Sequence, residues 1–345
     1  MTEGCKNVWF LCMTIGIAVC VLLVCSLFIG SVHIPLQDVI SIVMGDYSDN
    51  PAWNFIILES RLPQTLTAMF CGGGLAVSGL ILQTVFHNPL ADPSVFGISS
   101  AAGLGVAVVV LITGGTLVWD SVSSVGLSSV LCSAFAGSIL MTAVIFFISV
   151  RMRSKNLVII VGLMAGYLVS SMIILLSYFS SNEGLRSYVT WGMGSFGNVP
   201  LSQIPLFAGL VIVGVTVAAL LVKPLNVLSL GDRYAMNLGI NANYVRNRVL
   251  VVSGLLTAVT TAFCGPVAFI GLIVPHFSRL MLGSSDFRKL LPATVLVGAA
   301  AAMFCNIATE IVWKSGTLPL NAVTSFLGAP VIIYILMKNT NTEYD

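Results

Sequence analysis

Charged positions in this chain come in short bursts separated by long stretches that contain none. Nine windows free of Asp, Glu, Lys and Arg cover residues 7–37, 62–91, 93–119, 121–150, 156–182, 187–222, 249–278, 290–309 and 315–337. A helix needs about 20 predominantly apolar residues to cross the hydrocarbon core of a bilayer, so each window predicts at least one crossing. The seventh window holds FCGPVAF, where the Gly265-Pro266 pair is suited to end one helix and start another, which raises the count to ten.

Basic residues decide between the two counts. With Lys6 in the cytoplasm and ten crossings, twelve Lys and Arg lie inside and only Arg61, Arg186 and Lys314 lie outside; with nine crossings the balance falls to nine against six. The enrichment of Lys and Arg in cytoplasmic loops therefore selects ten crossings with both termini cytoplasmic. Helices are predicted near 8–30, 62–86, 94–113, 124–150, 157–180, 204–222, 247–264, 267–282, 291–312 and 320–338, with a cytoplasmic loop over 225–246. Composition agrees, since 57% of the 345 residues are hydrophobic and 8% charged, against about a quarter charged in soluble domains. The fold class is an all-α polytopic membrane protein built as one transmembrane domain. The apolar run Val8–Gly30 is too long for a signal-peptide core and no A-x-A site follows it, so it is read as a retained helix.

Candidate chemistry adds little. The eight cysteines form no C-x-x-C pair, and His33, His87 and His276 lie far apart, so neither a metal site nor a catalytic constellation is predicted. No G-x-x-x-x-G-K-[ST] occurs, so nucleotide must be handled elsewhere, and Gly72, Gly73, Gly74 and Gly79 in CGGGLAVSG read as a helix contact surface.

Three loops are long enough to carry function. In 31–60, Ile34, Val39, Ile40 and Val43 predict a short surface helix that packs on the bundle. In 181–205, four glycines stand among Tyr188, Trp191, Met193 and Phe196, and predict irregular backbone facing a cavity. In 225–249, Leu230, Tyr234 and Leu238 repeat at helical spacing, Gly239 is a C-terminal stop, and Asn241 is placed to cap a second short helix. This last loop reads as a helical hairpin lying along the membrane with an apolar face to offer.

Two interruptions match across the chain. VFHNPLADPSVFGISSAAGLG and GPVAFIGLIVPHFSRLMLG are Pro-flanked and Gly-bearing, with Val95–Ser99 (VFGIS) answering Phe269–Ile273 (FIGLI) in segments of opposite orientation. That is the pattern of an inverted repeat.

These stretches, together with RLPQTLTAMFCGGGLAVSGLILQ, LGDRYAMNLGI and LPLNAVTSFLGAPVIIYIL, resemble the permease subunits of type II ABC importers for ferric siderophores, haem and cobalamin over nearly the whole chain. The resemblance implies a homodimer in the bacterial cytoplasmic (inner) membrane. Two ABC ATPase subunits, which bind ATP and Mg, would sit at the cytoplasmic loops, and a periplasmic or lipid-anchored substrate-binding protein would dock outside. It implies a metal-chelate substrate, no cofactor or catalytic residue on this chain, and no nucleic acid partner. It assigns ATPase coupling to Asp232, Arg233, Ala235, Leu238 and Gly239, and the cytoplasmic gate to the turn Ser154, Lys155 and Asn156. Docking falls to Arg61, Arg186, Lys314 and Glu310, although Gln64 and Glu310 stand where relatives usually carry arginine. Trp191, Met193 and Phe196 are expected to line the pathway. Ferric siderophore or haem ranks ahead of cobalamin, on their frequency in the family. An ion-coupled secondary transporter is the distant alternative, but it would place ionisable groups at mid-membrane, and Glu310 is the nearest approach to one.

Overall fold

Backbone in hydrocarbon must satisfy its own hydrogen bonds, and apolar sequence does so as helix. In the computed structural model, which describes residues 3–30, 32–46, 48, 50–112, 124–152, 154–311 and 318–342, the described residues form helices and no strand. Among the described residues seven helices are long and apolar enough to span a membrane, and three shorter apolar ones, Ile98–Ile112, Ile270–Leu282 and Leu320–Ile333, bring the set to ten.

In chain order the helices begin with α1 (Glu3–Phe28), α2 (Leu36–Met44), α3 (Pro51–Phe55), α4 (Leu62–Phe86), α5 (Ile98–Ile112), α6 (Ser124–Arg151), α7 (Lys155–Tyr178) and α8 (Asn182–Gly192). They continue with α9 (Ile204–Leu220), α10 (Val222–Leu228), α11 (Asp232–Asn237), α12 (Ala242–Cys264), α13 (Ile270–Leu282), α14 (Phe287–Ile311) and α15 (Leu320–Thr342).

The axis of the bundle is α4. Its span is 83% buried, against 22% for those of α1, α6 and α7, which turn most of their surface outward. Glycines make this possible, because without a Cβ two helix backbones can touch. Gly72 packs on Gly298 of α14, Gly79 on the Gly271 carbonyl of α13, and Gly74 on Val211, Leu256 and Thr260 of α9 and α12. The glycine run therefore serves four neighbours at once.

Both expected interruptions are present, and they meet. After α4 the chain passes through His87 in the left-handed region, then Asp92, whose carboxylate accepts from the Ser94 amide at 3.0 Å and caps a short 3-10 turn at Pro93–Phe96. On the other side, Gly265 and Phe269 at φ 73 and 69 bracket the extended link between α12 and α13. Asp92 Oδ1 lies so close to Gly271 that an added Cβ would sit 2.6 Å from it.

Several local expectations are revised. The second crossing does start at Leu62, but α3 runs into it through a π turn, Ile56–Arg61, so the helix continues upstream of the charges read as loop. On α2 the buried face is Val39 and Ile42, joined by Ile34, while Ile40 and Val43 are exposed. Residues Asn182–Gly192 form a regular helix, with Ser181 accepting from the Gly184 amide; only the segment after it is irregular. Asn241 caps not a second short helix but α12, 23 residues long, by accepting from the Tyr244 amide.

Candidate functional site

The cytoplasmic loop of the sequence folds as two short helices and a turn. Gly231 at φ 109 redirects the chain into α11. At its far end Gly239, at φ 78, lets the Ile240 amide reach the Ala235 carbonyl at 2.9 Å and its own amide reach Met236 at 3.0 Å, the paired bonds of a Schellman stop. Ala235 is fully buried beneath the helix, whereas Leu230, Tyr234, Met236 and Leu238 are all more than half exposed and Arg233 points to solvent. The periodicity foretold Leu230, Tyr234 and Leu238 on one face of a short helix; all three are exposed, but only Tyr234 lies within α11, with Leu230 in the turn before it and Leu238 at its C-cap. The loop is anchored from behind by Asn226, which donates to Asp286 at 2.8 Å and accepts from the Phe287 amide at 2.7 Å. The Arg288 amide, the Asn226 side chain and the charges of Arg288 and Lys289 hold the Asp286 carboxyl below the usual carboxylate range.

Next to this loop lies the turn from α6 to α7, which is shorter than the expected 154–156: Ser154 is the N-cap of α7, and Lys155 and Asn156 are its first two residues. Ser154 and Asn156 are exposed. Lys155 reaches back, with Nζ 2.7 Å from both carboxylate oxygens of Asp232 at the start of α11 and 3.0 Å from Nδ1 of His87. The other ring nitrogen of His87 donates to the Leu228 carbonyl at 3.0 Å, since a carbonyl only accepts, and Nδ1 is thereby the acceptor for Lys155. On the entering side of the same turn, Arg246 of α12 donates to the Ser149 hydroxyl at 3.1 Å and to the Ser149 and Met152 carbonyls at 2.9 Å. The Ser149 hydroxyl donates onward to Asn247 at 2.8 Å. The turn is thus gripped on both sides by groups that flank α11.

At the opposite end of α4 the picture differs from expectation. Arg61 is only 4% exposed, and its guanidinium donates to the carbonyls of Leu27, Phe28 and Val32. The guanidinium is therefore committed inside the fold, closing the end of α1, and is not free in solvent as a docking charge is expected to be. Glu310 is half-buried beside it, within reach of the Arg61 charge and of Gln64, which also donates to Asn306 at 2.8 Å. Arg186 on α8 is exposed, and Lys314 lies outside the described residues.

The family-wide sequence profile of the FecCD transport family matches residues 18–338. This chain belongs to the FecCD transport family. It is 34% identical over 315 residues to the vitamin B12 import system permease protein BtuC of Citrobacter koseri, covering 90% of this chain and 93% of that protein. The BtuC protein of Escherichia coli O127:H6 is 33% identical over 331 residues, covering 96% and 95%. A solved structure assigned to the metal-chelate type of ABC transporter, in an inward-facing conformation, superposes with a TM-score of 0.80 at 28% identity, covering 95% of this chain and 99% of that one. The FecCD chain is accordingly the multi-pass permease of an ABC importer in a bacterial inner membrane, a class whose ATP is hydrolysed on separate subunits.

Of the residues expected to line the FecCD pathway, only Met193 presents an exposed side chain. Phe196 is 1% exposed and sits in the main core, and Trp191 stacks on Tyr188 with ring centroids 6.3 Å apart, against the apolar cluster of α5 and α6. Phe196 is a core residue here, while Trp191 is half-buried. Sequence reasoning missed Asn321 at the start of α15. It donates to the Gly192 and Pro266 carbonyls at 3.1 and 2.7 Å and accepts from the Ala268 amide at 3.1 Å, so one side chain ties the turn after α8 to the break before α13. A lone polar residue opening an apolar helix, in PLNAV, was the only signal.

Proposed function

We propose that this permease works as a homodimer that imports a cobalamin-type corrinoid, with α11 seated on the ATPase and the turn 154–156 closing the cytoplasmic mouth. The observation that carries the cargo is that the relatives, vitamin B12 import permeases, match this chain along nearly their whole length. It reverses the order favoured by family frequency, in which siderophore and haem came first. Cobalamin is itself a metal chelate, so the structural neighbour is compatible with the same reading.

The geometry supports the coupling role. A rigid helix with exposed Tyr234, Met236 and Leu238 is a ready surface for a cleft on a partner, and Arg246 ties the helix that follows it to the end of α6. Movement of α11 has a short, hydrogen-bonded route to the turn. Docking of the binding protein at the other end falls to Arg186 and Lys314 rather than to Arg61.

Proteoliposomes holding the permease, its ATPase and its binding protein test the cargo. ATP-dependent uptake of radiolabelled cyanocobalamin, without uptake of haem or a ferric hydroxamate, is expected. Uptake of an iron complex with no movement of cyanocobalamin would overturn the assignment.

A further inference from the structure

We infer that Lys155 is the positioning residue that locks the gate turn to the coupling helix, through Asp232, and both of them to the end of α4, through His87. The inference rests on the coupling and gating roles proposed above and names the group that joins them. Lys155 is simply one of three basic residues, with Arg151 and Arg153, between the fourth and fifth predicted crossings when the chain is read as a string, and an orientation signal needs no partner. The geometry gives it two. Its ammonium meets Asp232, 77 positions away, and His87, 68 positions away, and His87 in turn holds Leu228 at the end of α10.

Each partner is placed by the end of a different element. Asp232 is the first residue of α11, so its carboxylate moves with that helix as one piece. His87 is held at φ 48, a left-handed conformation uncommon for a side chain of its kind, as the C-cap of α4. Lys155 opens α7 immediately after Ser154, so a pull on its side chain acts on the gate turn itself.

The lock is also suited to repeated use. Lys155 and Asp232 are 20% and 35% exposed, enough contact with water for the pair to break and remake within a transport cycle. The Arg246 bonds to Ser149 and Met152, by contrast, are mostly sealed and hold the entering side of the turn fixed. One side of the turn is hinged and the other is clasped.

The experiment compares Lys155→Met, Asp232→Asn, Lys155→Arg and the exchange Lys155→Asp with Asp232→Lys, each purified with the ATPase. Two quantities are read: hydrogen exchange in segments 152–158 and 230–240, and ATP hydrolysed per cyanocobalamin transported. Lys155→Met should speed exchange in both segments together and raise the ATP-to-cargo ratio at least about fivefold, the low end of coupling between linked sites. Lys155→Arg should resemble wild type, and the charge exchange should restore most of the ratio lost in either single variant. Unchanged exchange in the 230–240 segment of Lys155→Met, or an exchanged pair no better than the single variants, overturns the inference. If wild type moves no cyanocobalamin, the cargo reading fails while the exchange measurement still judges the lock.

Discussion

Arg61 and Arg246 stand at opposite ends of the bundle and solve the same problem. Each is almost fully buried, at 4% and 2% exposure, and each points its guanidinium at carbonyls left open where a helix ends. Arg61 closes α1 and the chain leading to α2; Arg246 closes α6 just before the gate turn. They differ in what else they join. Arg61 connects elements that frame the outer end of the bundle, with Glu310 nearby to balance its charge. Arg246 belongs to the helix that follows α11, so its bonds cross from the coupling loop to the gate. A basic residue at the edge of an apolar window is therefore as readily a helix cap as a contact for a partner, and its burial decides which.

The largest effect is expected at Arg246. Arg246→Met leaves the Ser149 and Met152 carbonyls without this donor, at a cost of about 1 to 3 kcal/mol for the buried Ser149 carbonyl and less for the part-buried Met152 one. The half-life of the detergent-solubilised protein at a fixed elevated temperature should fall steeply, a kinetic measure suited to irreversible unfolding. Arg246→Lys should recover only part of the loss, because a point ammonium lacks the planar fork. A Met variant as long-lived as wild type would remove the capping account.

Arg61 comes next, and it separates the two readings of an outer arginine. Arg61→Met should shorten the same half-life, by less than Arg246→Met, since two of its three carbonyls are only partly buried. In the molecules that stay folded, the association rate with the binding protein should remain within about twofold of wild type, the insensitivity expected where a charge contributes no steering field. A rate lowered tenfold at unchanged half-life would return Arg61 to the docking surface.

What could be read in advance follows from how local each feature is. Periodicity and charge placement located α4 at Leu62–Phe86, since HNP ends it and a proline opens it, and they located the Gly239 stop, whose φ is a property of one residue. They failed where a second element decides the outcome. The buried face of α2 depends on what it packs against, so Val39 and Ile42 turned inward while Ile40 did not. The glycines of 181–205 suggested irregular chain, yet Gly184 and Gly192 fall where the helix tolerates them and Ser181 supplies the cap. Asn321, Lys155 and Arg246 make their bonds across more than 50 residues of chain, and no spacing rule records that.

The smallest effect is expected at Arg186, the exposed outer basic residue on α8. Its removal should leave stability within about 0.5 kcal/mol, as surface substitutions usually do. Steering is a different matter, because a charge free in solvent acts on an approaching partner before contact, over a distance set by salt. The screening length is about 10 Å at 0.1 M and about 3 Å at 1 M, so Arg186→Glu should slow association with the binding protein several-fold at low ionic strength and hardly at all at high. The dissociation rate should change little, since an exposed pair contributes about 0 to 1 kcal/mol. Stopped-flow association over a salt series reads all of this on one sample. If Arg186→Glu shows the wild-type salt dependence while Arg61→Met flattens it, burial is the wrong criterion for choosing between cap and contact, and the comparison of the two ends must be redrawn.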